Sequence, residues 1–475
     1  MDDFGSTEKL LPHEHKHKHD ANRKFGEKQP NQCRDPLFVI LFYMQVATII
    51  ITASVLGGAA LGAASRSEGK TTDSTVSSIG LLYLVLTVGI FCSGFSYMGL
   101  IIAMKFSNSL IQIALTAQLT SSLLLSLVAL VLGQVGFAIL GLVSFAVGVC
   151  YACVVWSKIP FAAALLDVAV RGVRANMGIS LVSYGLVAVA FLYTMTWSIA
   201  VSGVYYAETC DSASGKCDGN GPSGAVVFFL FLAYFWTLQV IQNTVHVSVA
   251  GTVGTWWFAP EEAGSYCSRA VHDSFYRATT LSAGSICLGS LLVAIIQTLR
   301  YFVEQMRRDE DSILTCIADC ILSCLESYAS YFNRWAYIYV GLYGYNYVTA
   351  GRNVMELFQA RGWSSVVSFD LVSGAMFMVS LVIGFCCGVV GLIFEQLVPS
   401  WFAFMGEGAG TIAFFVSFAI GLLLTSVIMS VIASAVNTVI VCFAEDPAIF
   451  EVNHPQLSEN LRVAWRSAYS EEFFL

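Results

Sequence analysis

Charge is scarce in this sequence. Asp, Glu, Lys and Arg supply 12% of its 475 residues, about half the share found in soluble globular chains, which is about 25%. With 56% hydrophobic residues and a mean hydropathy of +0.70, too little polar surface remains to solvate a globule of this size. A soluble enzyme, a disordered scaffold and a nucleic-acid binder are excluded on that ground. The net charge of -8, from 24 basic and 32 acidic residues, also argues against nucleic acid, because a phosphate-binding face needs concentrated basic charge. Proline is sparse: nine residues against 39 glycines suit closely packed helices better than a linker protein. Catalytic signatures are missing as well, with no Walker loop, no G-x-S-x-G elbow and no H-E-x-x-H pair. The chain reads as an all-α, polytopic membrane protein that is not an enzyme and carries no cofactor.

What is abundant is uncharged length. A helix crossing hydrocarbon needs about 20 mostly apolar residues, since about 1.5 Å of rise per residue must cover about 30 Å. Uncharged stretches at 37–65 and 74–104 make one span each, and the 52 residues of 106–157 make two, hinged near Gly133 and Gln134. Residues 175–207, the apolar part of 219–260, and 278–299 give the fifth, sixth and seventh spans. The tyrosine-rich stretch 335–351 is expected to be the eighth, and 371–394 and 408–444 the ninth and tenth. About ten transmembrane helices result.

The first 35 residues are polar and charged and contain no apolar signal segment, so the first span is expected to serve as its own insertion signal. With both termini cytosolic, the inside segments hold 17 of the 24 basic residues, as the positive-inside rule requires. The expected organisation is a cytosolic, disordered His/Lys-rich tail over 1–36, a ten-helix domain over 37–444 and a cytosolic tail over 445–475. One segment resists this scheme. Residues 300–331 carry Arg300, Arg307 and Arg308 yet fall outside by parity. Either they form an external amphipathic helix balanced by Glu304, Asp309, Glu310 and Asp311, or the eighth span is misplaced.

Four smaller features carry chemistry. His13, His15, His17 and His19 alternate with charged residues and share one side of an extended chain, but no carboxylate or cysteine cluster completes a metal site, and a solvated tail accounts for them. Cys210 and Cys217 flank six residues, including Gly215, in an expected outside loop, and are expected to pair as a disulfide rather than stand as free thiols. Cys316, Cys320 and Cys324 repeat every four residues along one helical face, which is not a zinc spacing. Residues 158–176 separate apolar positions from Asp167, Arg171 and Arg174, the pattern of an interfacial amphipathic helix or equally of a connecting helix.

Several motifs, in order, resemble the choline transporter-like family of ten-helix solute carriers. Residues Cys33 to Phe38 resemble that family's entry into the first helix, and Ile159 to Ala162 its short cytosolic motif. Gly284 to Leu291 is similar to its most specific stretch. Asn333 to Ile338, followed by Tyr343 to Asn346, resembles another, with Trp335 in place of the usual asparagine. Cys442 to Pro447 and Asn453 to Pro455 resemble the C-terminal signature. The likeness runs from Cys33 to about Trp465. The loop at 66–73 is short where animal members carry a large ectodomain, which suggests a fungal or plant-type branch. The resemblance implies uptake of choline, with ethanolamine as a related substrate, for phospholipid synthesis at the plasma membrane.

The residues themselves suggest how such a substrate would be held. A quaternary ammonium donates no hydrogen bond, so aromatic faces must bind it. No Asp or Glu lies deep within the spans read above; Asp370 and Glu395 sit near the ends of the ninth. Trp236, Gln239, Asn243 and His246 follow at steps of three, four and three residues and share one helical face. Trp236 and Trp197 are expected to form the walls of a cage, with Gln239 or Asn243 receiving the substrate hydroxyl, and Tyr193, Tyr234 and Tyr345 contributing further aromatic surface. Plain packing of these aromatics is the competing reading. Gly284 and Gly289 lie on a small-residue face that permits close helix approach, either as static packing or as a sliding surface for alternating access. The other class of function weighed against a carrier is a non-transporting membrane scaffold or regulator of lipid metabolism or membrane traffic.

Overall fold

A computed structural model describes residues 31–58, 73–209, 221–309, 313–362, 371–399 and 408–469. Among these residues all regular structure is helical, as lipid requires: no water is available there to satisfy backbone N–H and C=O groups, and the helix pairs them internally. In chain order the helices are α1 (Pro36–Val55), α2 (Asp73–Lys105), α3 (Ser107–Val131), α4 (Val135–Val155), α5 (Ile159–Ala175), α6 (Gly178–Thr209), α7 (Gly224–Phe258) and α8 (Arg269–Thr279). They continue with α9 (Ala283–Asp309), α10 (Ile313–Tyr343), α11 (Tyr347–Arg361), α12 (Leu371–Leu397), α13 (Ala409–Glu445), α14 (Pro447–Asn453) and α15 (Pro455–Ala468). Prolines begin helices rather than interrupt them: Pro36, Pro160, Pro447 and Pro455 each occupy a first turn, where the missing N–H costs nothing.

Nine helical stretches among the described residues are long and apolar enough to cross a membrane. They correspond to α1, the second half of α2, α3, α4 running on into α5, α6, α7, α9, α12 and α13. The eighth span expected at 335–351 is corrected by the structure. That stretch contains the end of α10, a non-helical break at residues 344–346, and the start of α11. The break is built in: Gly344 has a φ of 63°, and the Asn346 side chain caps α11 by accepting from the Thr349 N–H at 2.9 Å. The helix before this break, α10, has 31 residues and measures about 46 Å, but it is not among the nine apolar stretches.

Residues 300–331 are accordingly no separate external helix. They form the end of α9 and the start of α10, which run antiparallel and are joined by ion pairs from Arg300 to Asp319 (3.1 Å) and Glu326 (2.9 Å). Reading spans by distance between charges failed here because α10 keeps its charges inside the helix.

One end of the bundle is closed by a layer built from residues 31–35 and the short helices. The Arg34 N–H donates to the Leu281 carbonyl (2.9 Å), Gly178 N–H to Tyr266 (2.6 Å), and the Arg361 guanidinium to the Glu445 carbonyl (3.3 Å). The apolar face of α5, including Phe161, Leu165, Leu166 and Val173, is buried within the main core rather than presented to lipid. Phe161 meets Trp465 of α15 edge-on at 5.1 Å. Both described ends of the chain therefore lie at the same end of the bundle. The histidine-rich tail and the Cys210–Cys217 pair lie outside the described residues.

Candidate functional site

The four residues expected to share a face of α7 do so, and each is tied to a neighbouring helix. The Trp236 indole N–H donates to the Cys287 carbonyl of α9 at 3.0 Å. Gln239 Nε2 donates to Gln297 Oε1 at 3.2 Å, and Asn243 Nδ2 to Ser290 Oγ at 2.9 Å, both on α9. His246 reaches two further helices: Nδ1 lies 2.6 Å from Ser434 Oγ on α13, and Nε2 lies 2.9 Å from the Arg334 carbonyl on α10. A carbonyl only accepts, so Nε2 carries the ring proton and Nδ1 accepts from Ser434. Around this face lie Ser290 and Tyr337 (3.4 Å apart), with Tyr337 donating on to the Ile286 carbonyl at 3.1 Å. The result is a polar seam through an otherwise apolar bundle.

The aromatic residues are distributed differently from the expected cage. Trp236 is buried in the main core and meets Phe42 of α1 edge-on at 5.5 Å. Trp197 belongs to a separate cluster between α1, α6 and α7, where its N–H donates to the Leu230 carbonyl at 2.8 Å. The structure does not bring the two tryptophans together as facing walls. Trp197 is instead paired with Tyr234, ring centroids 4.6 Å apart, and Tyr193 joins that cluster by donating to the Ala233 carbonyl at 3.0 Å. Tyr345 is drawn away to the closed end, where it groups with Tyr339 and Tyr343 at centroid distances of 6.4 and 5.6 Å. The Tyr339 hydroxyl there donates to the Glu445 carboxylate. The reason is topological: the helix break at 344–346 removes Tyr345 from the span in which it was expected.

The motifs at Cys33 to Phe38, Gly284 to Leu291 and Asn333 to Ile338 meet at one joint. The Asp35 carboxylate accepts from Ser285 Oγ (2.6 Å) and from the Tyr347 N–H (3.2 Å), and Arg34 Nε donates to the Gly344 carbonyl (3.0 Å). Asn333 donates to the Gly289 carbonyl at 3.0 Å and accepts from the Tyr347 hydroxyl. The first helix thereby pins the α10–α11 break. Trp335, where the related family has asparagine, is fully buried against Phe358 at 5.0 Å.

The small-residue face of α9 serves this joint. A Cβ on Gly284 would meet the Arg34 and Asp35 carbonyl oxygens at 2.1 and 2.2 Å, and one on Gly289 the Tyr347 ring and the Tyr337 hydroxyl at 2.4 and 2.5 Å. These glycines admit a backbone segment and two tyrosines, which is packing of a specific kind. Because backbone cannot swing aside, Gly284→Ala is expected to destabilise the protein by about 1–3 kcal/mol. Thermal unfolding in detergent checks this, with Gly94→Ala, a position with open space around it, as the control.

Four functional candidates escaped the sequence reading: Gln297, Arg300, Asp319 and Glu326. Gln297 Nε2 donates to Glu326 Oε1 at 3.0 Å, which extends the Gln239 contact into the ion pairs of Arg300. Glu326 lies 17 residues before Tyr343 on α10, outside the nine apolar stretches. Gln297 and Arg300, three apart, and Asp319 and Glu326, seven apart, repeat at helical spacing and were the available signal.

The arrangement defines a polytopic all-α membrane protein with a polar seam through its interior. A family profile described as plasma-membrane choline transporter matches residues 138–448. The chain belongs to that family. It is 28% identical to Protein PNS1 of Mycosarcoma maydis over 92% of its own length and 84% of the relative's. Protein PNS1 of Cryptococcus neoformans var. neoformans serotype D is also 28% identical, over 93% and 84%. For Protein PNS1 of Gibberella zeae the figures are 30% identity over 65% and 59%. The protein is thus a multi-pass plasma-membrane protein of a transporter family, not an enzyme, with a choline transporter-type role.

Proposed function

We propose that the protein moves choline, or a related small organic cation such as ethanolamine, across the plasma membrane for phospholipid synthesis, by alternating access along the α7 seam. The observation that carries this reading is the continuity of the seam: His246, Asn243 and Gln239 on α7 lead through Gln297 to Glu326, with α9 and α10 lining the other side. Polar side chains inside a membrane bundle are costly and mark pathways. In this reading Gln239 or Asn243 receives the substrate hydroxyl, while Trp236 offers ring surface beside them. Trp197, Tyr193 and Tyr234 form a second aromatic panel where α6 meets α7, and the Tyr345 group lies at the closed end. A quaternary ammonium needs ring faces rather than indole N–H groups, so anchoring of both N–H groups to carbonyls is compatible with that role. The test is uptake of radiolabelled choline into proteoliposomes, with and without a membrane potential. Saturable uptake competed by unlabelled choline is expected. Its absence would favour the non-transporting scaffold.

A further inference from the structure

We propose that Arg300, Glu326 and Asp319 form a cation-exchange site at the mouth of the seam, where the substrate's ammonium head displaces Arg300 from Glu326 and Asp319 retains the displaced guanidinium. The inference rests on the organic-cation reading and adds to it a site and a competitor. The geometry is that of one guanidinium shared by two carboxylates. Arg300 Nη1 lies 2.9 Å from Glu326 Oε2, while its Nε lies 3.1 Å from Asp319 Oδ1. Asp319 also holds Arg307 at 3.6 Å, and the remaining oxygen of Glu326 accepts from Gln297. Arg300 can therefore leave Glu326 without leaving its other anion. Glu326 would then face the incoming cation while still hydrogen-bonded to the seam.

A second observation concerns depth and exposure. Glu326 lies partway along α10, about 26 Å from the closed end, opposite Arg300 of α9. At that depth the side chains of Arg300, Asp319 and Glu326 remain 41%, 26% and 21% exposed. Charged groups do not face hydrocarbon, so this flank of the hairpin faces water and forms an entrance. The adjoining residues of α9 turn to α7 instead, where Tyr301 stacks on Phe231 at 4.2 Å and Phe302 meets Phe228 at 5.8 Å. A carboxylate guarded by a tethered cation selects for small cations over anions and neutral solutes.

The experiment compares Glu326→Gln, Asp319→Asn and Arg300→Gln in purified full-length protein. Two readouts are needed: thermal unfolding in detergent with tetramethylammonium chloride against sodium chloride, and choline uptake by proteoliposomes. In the wild type, tetramethylammonium is expected to raise the unfolding temperature. Glu326→Gln should weaken that response about tenfold in concentration. Asp319→Asn, which leaves Arg300 on Glu326 alone, should weaken it about threefold, and Arg300→Gln should strengthen it. KM for choline should move in the same directions. A merely structural brace would lower the unfolding temperature in all three variants and leave the concentration dependence unchanged, which overturns the proposal. No response to tetramethylammonium in the wild type overturns it as well. If the response follows the expected order while wild-type vesicles take up no choline, this site stands and the transport reading falls.

Discussion

Replacement of His246 by leucine is expected to abolish choline uptake while leaving most of the protein folded. The imidazole is the only described side chain that hydrogen-bonds from α7 to both α10 and α13, through the Arg334 carbonyl and Ser434 Oγ. Leucine fills the volume and removes both bonds, leaving the Ser434 hydroxyl without the imidazole acceptor while the Arg334 carbonyl keeps its helical bond. Stranded buried groups cost about 1–3 kcal/mol each in soluble proteins. Inside membranes such bonds are worth nearer about 0.6 kcal/mol, because the unfolded reference also finds partners. The lower figure governs here, so stability falls modestly, whereas the relative placement of three seam helices is lost. Uptake normalised to surface abundance, together with the unfolding temperature, separates the two effects. His246→Gln, whose amide reaches the Arg334 carbonyl, is expected to keep part of the uptake. Normal uptake by His246→Leu would remove the seam from the transport pathway.

The α7 seam was legible in the sequence because helical periodicity is a local property. Steps of three and four residues put Trp236, Gln239, Asn243 and His246 on one face whatever surrounds them. What periodicity cannot reveal is the partner across the interface. Trp197 and Trp236 looked equivalent in the sequence, as mid-span tryptophans, yet one packs with Tyr234 and the other with Phe42. The expectation of about ten spans stands beside nine apolar stretches among the described residues. Those nine announce themselves by composition, while α10 carries Asp319, Glu326 and Arg334 within its length. Counting uncharged runs assumes that charges mark helix boundaries, and that assumption fails where a long helix pairs its carboxylates with an arginine on the preceding one. The residues that defeated the count, Asp319 and Glu326, are those the structure joins to the seam.

The C-terminal motifs show the same limit at the closed end. Asp446 and Pro447 end α13 and start α14: the Asp446 carboxylate accepts from the Ala448 and Ile449 N–H groups at 3.0 and 3.2 Å. Nothing in the residue pattern indicates that the chain after α13 turns back onto α7. Asn453 Nδ2 donates to the Trp257 carbonyl at 2.9 Å and the Phe258 carbonyl at 3.3 Å, and His454 Nε2 lies 3.3 Å from the Trp256 carbonyl. These are among the last carbonyls of α7, which have no partner within their own helix. The tail thus caps the helix that carries the seam.

Phe450→Ala is expected to cost about 3–5 kcal/mol, the range for removing a fully buried aromatic ring. Phe450 is completely buried, stacked on Trp257 at 3.8 Å with the rings 7° from parallel, and it also contacts Trp256 and His454. The loss should exceed that of Gly284→Ala, because a ring-sized cavity opens between α14 and the end of α7 and no neighbouring side chain is free to fill it. Phe450→Leu, which keeps most of the volume, should cost less than half as much. Thermal unfolding of the detergent-purified protein measures both. Limited proteolysis supplies the mechanism: release of α14 from α7 should expose the 446–469 segment to cleavage in Phe450→Ala under conditions where the wild type resists it. If Phe450→Ala unfolds at the wild-type temperature and resists cleavage equally, α14 is a detachable tail. The capping of α7 by Asn453 and His454 would then contribute nothing to holding the seam helix in place.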